Sequence, residues 1–147
     1  RRQRQMCIRD RYKTKAQELS FLSRKYAVNK QKSNWLELFS DDAIVEDPIG
    51  VSPLDPFGKG HNGKVAIEAF YDTVIANGDL VFEIVESIPC GDECANFANI
   101  TNKIEGAEIK TKMIVIYRVN SDDKIVSLRA FWDYEAMEQQ LLSLQGD

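Results

Sequence analysis

One histidine and three cysteines are all that 147 residues offer in soft metal ligands. A zinc site needs about four such donors at close spacing, and Cys7, Cys90 and Cys94 lack the supporting His or Cys, so they read as buried or incidental thiols. No nucleotide-binding motif is present either, so neither a metal nor another cofactor is expected. No apolar run approaches the roughly 20 residues of a membrane helix. No apolar segment follows the basic N-terminus as a secretory signal would require, which sets a cytoplasmic expectation. Excess positive charge is missing too: 19 Lys and Arg face 23 Asp and Glu, a net charge of -4. That balance argues against nucleic acid or a membrane surface as partner. With no repeat and no low-complexity linker, the length fits one domain around a single sizeable core.

Residues Arg1 to Tyr12 stand apart. A charge cluster, Arg1-Arg2-Gln3-Arg4-Gln5, precedes a stretch without useful period. Residues 1–12 therefore read as a disordered or extraneous leader to a single domain over 13–147. From Lys13 to about Val28, Ala16, Leu19, Leu22, Tyr26 and Ala27 recur at helical spacing. Asn29 to Lys32 breaks that helix, and Ser33 or Asn34 is placed to cap a short second one with Trp35, Leu38 and Phe39 on its apolar face. A third opens at Asn62 or Gly63, carries Ile67, Phe70, Tyr71, Val74 and Ile75 on one side, and stops at Asn77-Gly78. Strands follow over Leu80 to Ile88, Cys94 to Ile104, about Glu108 to Val119, and Lys124 to Trp132, parted by turn residues. A short helix from Tyr134 to about Leu144 comes last. The order predicts an α+β fold: three N-terminal helices packed on a strongly curved, mostly antiparallel sheet, with a pocket between the layers that is apolar at depth.

The stretch Asp41 to Gly50 is the point on which function turns. Its β-branched run ends at Asp47, because Pro48 has no N–H and biases the preceding residue away from helix. Ala43, Val45 and Asp47 alternate onto one face, so the carboxylate inherits the direction of a buried row and its pKa should rise by desolvation. The plainer alternative is an acid that starts a turn. Beyond it, Ile49 to Asn62 is a long loop rich in Gly and Pro, of the kind that serves as a lid. The sole histidine, His61, lies there, either as a solvated loop residue or as a catalytic partner carried on the lid.

The run Val45-Glu46-Asp47-Pro48-Ile49-Gly50 resembles the strand that presents the general base of bacterial ketosteroid isomerases, members of the NTF2-like, SnoaL-like superfamily. Gly63 to Tyr71 looks like that family's third helix, and Ala130-Phe131-Trp132 like the end of its last strand. The resemblance implies a cone-shaped α+β fold, with Asp47 as general base and Trp132 beside it holding the carboxylate. It also implies Tyr71 as a support of an oxyanion hole, which in the family pairs a tyrosine with a protonated aspartic acid. Here the pattern departs. The aspartic-acid position falls on Val115, which cannot donate a hydrogen bond; the tyrosine position falls on Ser23, or on Tyr26 one turn away; another network tyrosine is replaced by Phe39.

Two functional classes follow. As an enzyme, the chain would use Asp47 to take a proton from carbon beside a carbonyl in a small hydrophobic molecule, with Tyr26 or Tyr71 donating to the oxyanion. Ser23, Met113, Val115, Tyr117, Leu128, Ala130 and Trp132 would line the pocket. Activation of water for hydrolysis or hydration is a variant that needs polar groups near Asp47, such as Asn99 and Asn102 turned inward. As a non-catalytic module, the chain would hold a small hydrophobic ligand or form a homodimer through its outer sheet face, where Ser127, Arg129 and Phe131 are expected to point.

Overall fold

The structure is a computed structural model that describes residues 11–145. The leader residues 1–10, including Cys7, lie outside the described residues; Tyr12, at the leader's end, already packs its ring on Phe21 at 5.2 Å. Helix α1 (Lys15–Val28) starts where Thr14, in extended conformation, accepts a hydrogen bond from Gln17 N–H at 3.1 Å. Its buried face is Ala16, Leu19, Ser20, Ser23 and Ala27, mostly small side chains that keep the helix close to the sheet. Helix α2 (Lys32–Glu37) begins one residue before the expected Ser33 cap and has no side-chain cap. Lys32, inside it, bridges to Glu68 at 2.8 Å and Asp72 at 2.9 Å across the helix layer. The short helix serves to bury Trp35, which is 1% exposed.

Strand β1 (Phe39–Glu46) follows, and then β2 (His61–Asn62), a two-residue strand too short for any periodicity to announce. Helix α3 (Gly63–Phe70) runs on as a π-helical turn over Tyr71–Ile75. The meander is β3 (Asp79–Cys90), β4 (Glu93–Ile104), β5 (Ala107–Val119) and β6 (Ile125–Phe131), before helix α4 (Tyr134–Gln145). Among the described residues four helices therefore pack on one six-stranded sheet, in the order β2-β1-β6-β5-β4-β3. Every pairing is antiparallel except β1 on β6. Among the described residues two helices precede the first strand, and the third follows β1 as its expected start at Asn62 or Gly63 requires.

Curvature has a local cause. The register slips between Ile84 and Glu86, between Phe39 and Ile44, and between Arg118 and Val119, and each irregularity bends its strand. The concave face holds the core, in which Trp35, Phe39, Val45, Ile67 and Ile125 are essentially inaccessible. Burying each aliphatic or Phe side chain contributes roughly 1.5–3 kcal/mol. Strand β6 pairs with β5 only from Ile114 onward, so residues 107–113 of β5 have no strand on that side. Gln140 of α4 takes that place: its Oε1 accepts from Lys110 N–H at 2.9 Å and its Nε2 donates to the Lys110 carbonyl at 2.7 Å. No helix among the described residues is long and apolar enough to cross a membrane.

Candidate active site

Asp47 sits one residue beyond β1, where a cis peptide leads to Pro48 and Ile49 N–H is held by the Ala130 carbonyl at 3.0 Å. That tie sets the end of β1 beside the end of β6 and brings Trp132 within reach, so Trp132 Nε1 donates to Asp47 Oδ1. The carboxylate is half-buried and lines a cavity of about 340 Å³ between the sheet and the helices. Desolvation is the main influence on it and raises its pKa from 3.8 to about 6; the Trp132 hydrogen bond pulls more weakly the other way. Asp47 thus sits in the wall of the cavity and caps no turn among the described residues.

Seven of the residues read from the sequence meet around this cavity: Ser23, Asp47, Met113, Val115, Tyr117, Leu128 and Trp132. Three do not line it. Tyr26 is half-buried on another side of α1 and packs against the core. Three residues of helix turn it about 60° away from Ser23, and Ala27, four residues on, holds the lining position instead. Tyr71 is 3% exposed and stacks behind Trp35, ring centroids 5.4 Å apart. Ala130 is fully buried, its short side chain ending in the sheet layer opposite Val115 while its carbonyl anchors Ile49.

A hydrogen-bonded network of hydroxyls lies among the lining residues. Trp35 Nε1 donates to Ser23 Oγ at 3.1 Å, and Ser23 Oγ is hydrogen-bonded to Tyr117 Oη at 3.2 Å. The indole can only donate, so three donors (one N–H and two O–H) share two bonds. Whichever way the Ser–Tyr bond runs, one hydroxyl proton is left over, and both hydroxyl-bearing side chains line the cavity. Tyr117 is 3% exposed. Burial is the largest influence on its phenol and raises its pKa, the Ser23 hydrogen bond opposes, and the Asp47 charge raises it further, which puts acid and phenol in one electrostatic environment. Trp35 is a member of the site that helical spacing assigned only to core packing. A residue distant in sequence that hydrogen-bonds a helix serine leaves no periodic signal.

The remaining lining is largely apolar. The π-turn after α3 brings Thr73, Val74 and Ile75 to the cavity with Phe70, and α4 adds Tyr134, Met137 and Leu141. From β4, Ile100 and Asn102 face inward, whereas Asn99 is on the opposite face of the strand. The loop after Asp47 is tied by its own hydrogen bonds, with Ser52 and Asp55 paired backbone to backbone. Asp55, 7% exposed, accepts from Gly60 N–H at 2.8 Å, and Leu54 reaches the cavity. His61 belongs to β2, is partly buried against Phe70 at 4.9 Å between centroids, and has a buried Nε2 with no partner among the described residues. Burial lowers its pKa, and the Asp55 charge partly opposes this. It does not line the Asp47 cavity, so it is neither a solvated loop residue nor a partner of the acid. No cluster of three or more metal-ligating side chains occurs among the described residues.

The outer face of the sheet carries Arg129 and Phe131 as expected; Phe131 is 41% exposed beside Ile114 at 47%. The guanidinium of Arg129 lies over the Phe131 ring at 5.4 Å and bonds Glu46 at 3.2 Å.

Comparison with solved structures shows where this architecture recurs. RV0760c from Mycobacterium tuberculosis matches at a TM-score of 0.81 and 31% identity, over 85% of this chain and 96% of that one. It has also been solved in complex with estradiol-17β-hemisuccinate. The Δ5-3-ketosteroid isomerase from Mycobacterium sp. matches at 0.79 and 30%, over 84% and 96%. A Mycobacterium tuberculosis LEH-like epoxide hydrolase matches at 0.72 with 15% identity, over 88% and 90%, a likeness of fold alone. Residues 26–128 match the SnoaL-like domain family, a span from α1 through the middle of β6. With the curved sheet, its cavity and that match in agreement, the chain belongs to the SnoaL-like (NTF2-like) domain family.

Proposed function

We propose that the domain is a ketosteroid isomerase-like enzyme, moving a proton next to a carbonyl in a small, elongated hydrophobic substrate. One observation carries the reading: Asp47 is desolvated in an apolar cavity, with a pKa raised to about 6 and its carboxylate oriented by Trp132. Such a group is more basic than a solvated aspartate yet still ionised at neutral pH, as a general base requires. Asp47 removes a proton from the carbon between a carbonyl and a double bond. Electrons move onto the carbonyl oxygen, which takes a hydrogen bond from the free hydroxyl of the Ser23–Tyr117 pair. The protonated acid then returns the same proton to the far carbon, and the double bond shifts. The reaction is balanced without a cofactor. Hydrogen bonds in series polarise one another, so the Trp35 N–H at the start of the chain strengthens the last donor.

The similar mycobacterial proteins support the substrate class, since one is a Δ5-3-ketosteroid isomerase and the other has been solved with an estradiol derivative. Water activation is less well served. Asn99 is on the wrong face, and Asn102 lies several residues along the sheet from the acid. The test is turnover of a Δ5-3-ketosteroid by the wild-type protein and by Asp47→Asn. Loss of at least about 10³-fold in the variant, with binding retained, is expected. Wild-type binding without turnover would instead assign the domain as a steroid-holding module. We further propose a homodimer through the outer sheet face around Ile114 and Phe131. Sedimentation should show dimers that Phe131→Glu dissociates; a monomeric wild type would refute this.

A further inference from the structure

Of the lining side chains with polar groups outside the proton transfer (Thr73, Asn77, Asn102, Thr111 and Tyr134), Asn102 is the one with a buried atom left without a hydrogen-bond partner among the described residues. Asn102 lines the hollow from β4, where its register partners Leu80 and Ile109 are apolar and line it too. Its Oδ1 is buried and has no hydrogen-bond partner among the described residues. Asn96, on the same face of β4, shows a satisfied counterpart: its Oδ1 accepts from Cys94 Sγ at 3.3 Å and its Nδ2 donates to Ser20 Oγ at 3.0 Å. Thr73 and Asn77, also in the lining, are exposed, and Asn77 is already bonded to the Thr73 carbonyl. A buried carboxamide oxygen without a partner is costly to keep, and in a cavity wall a ligand can complete it.

Its position defines what that ligand must be. Phe131 pairs with Ile114, so Trp132 and the acid it holds are level with Met113 on β5. Asn102 pairs with Ile109, four residues further along the same strand, so it is offset from the acid by roughly 13 Å along the strands, and β4 lies three strands across the sheet from β1. We propose that Asn102 is a distal specificity residue, and that the cavity takes a rigid apolar molecule with an oxygen at each end. One is the reacting carbonyl near Asp47 and the other a hydroxyl that donates to the Asn102 Oδ1. This deepens the proposed function and rests on Asp47 marking the reacting end.

The experiment compares testosterone with its analogue lacking the D-ring hydroxyl. Dissociation constants are measured by calorimetry for the wild type, Asn102→Leu and Asn102→Ser. The ratio of the two constants should move by about 10-fold against the hydroxylated ligand in Asn102→Leu, and by less in Asn102→Ser, which keeps a hydroxyl. Without ligand, Asn102→Leu should melt at a higher temperature than wild type, because the unpaired acceptor is gone. A ratio unchanged in both variants, or failure of the wild type to bind either steroid, overturns the proposal. The readout is equilibrium binding, so it is separable from the Asp47 reading. That reading fails by unchanged turnover in Asp47→Asn, whatever this ratio does.

Discussion

Replacing Asp47 with Asn should make the protein more stable, and only where the aspartate would be charged. In the folded state the carboxyl keeps its proton up to about pH 6; unfolded, it releases it near 3.8. Between those values the native state binds more protons, so stability falls as pH rises, and the full penalty is present above about pH 6. At 1.36 kcal/mol per pKa unit the penalty is about 3 kcal/mol. Asparagine is close in shape, carries no charge, and keeps an oxygen to accept from Trp132 Nε1. Urea unfolding of both proteins from about pH 4 to pH 8 should show nearly equal stabilities at the acid end. The variant's advantage should then grow to about 3 kcal/mol, or roughly 6–12 °C in Tm for a domain of this size. A difference that does not change with pH would mean that Asp47 titrates like a solvated carboxylate, and the general-base assignment would lose its physical basis.

Tyr117→Phe removes one of the two hydroxyls and should lower kcat by about 10²-fold with little change in substrate affinity, whereas Tyr26→Phe, away from the cavity, should leave kinetics unchanged. Trp132→Phe deletes the hydrogen bond that holds Asp47 in its ionised form, so the acid limb of the kcat/KM profile should move to higher pH; a fixed limb would show that the indole only packs. Gly60 has φ +81°, and a Cβ there would meet Ile44 Cγ2 at 2.8 Å, so Gly60→Ala should cost about 1–3 kcal/mol in urea unfolding and loosen the loop that carries Leu54 into the cavity.

The parts legible in the sequence were those that repeat or that sit beside a strong punctuator. Strands β3 to β6 alternate over long stretches, and Pro48 fixed the point at which the chain leaves β1, so Asp47 could be picked out and its desolvation anticipated. What stayed hidden depended on contacts between residues far apart. The Trp35–Ser23–Tyr117 chain joins α2, α1 and β5, spans 94 positions between Ser23 and Tyr117, and obeys no period. Tyr26 was a reasonable donor by spacing, but three helical steps leave a side chain about 60° round from its starting direction, whereas four leave it only about 40° away, and it is Ala27 that lines the cavity. Strand β2 was invisible because two residues cannot alternate, and its pairing to β1 is what draws His61 out of solvent. The inward face of β4 likewise needed its register on β5 before Asn102 could be told from Asn99.

The early end of β6 has a consequence for how such a domain could change. Around Asp47 the walls are strands bonded on both sides, β1 lying between β2 and β6. At the opposite end one wall is an amphipathic helix, fastened to the bare flank of β5 by the two bonds of Gln140 and by Met137 and Leu141 against the hollow. A helix so attached can be shortened, shifted or resurfaced while the sheet stays intact. If the proposed chemistry holds, the molecule has a sheet-built reacting end and a helix-built end that measures the ligand, and remodelling residues 134–145 should change the ligand with the acid left untouched.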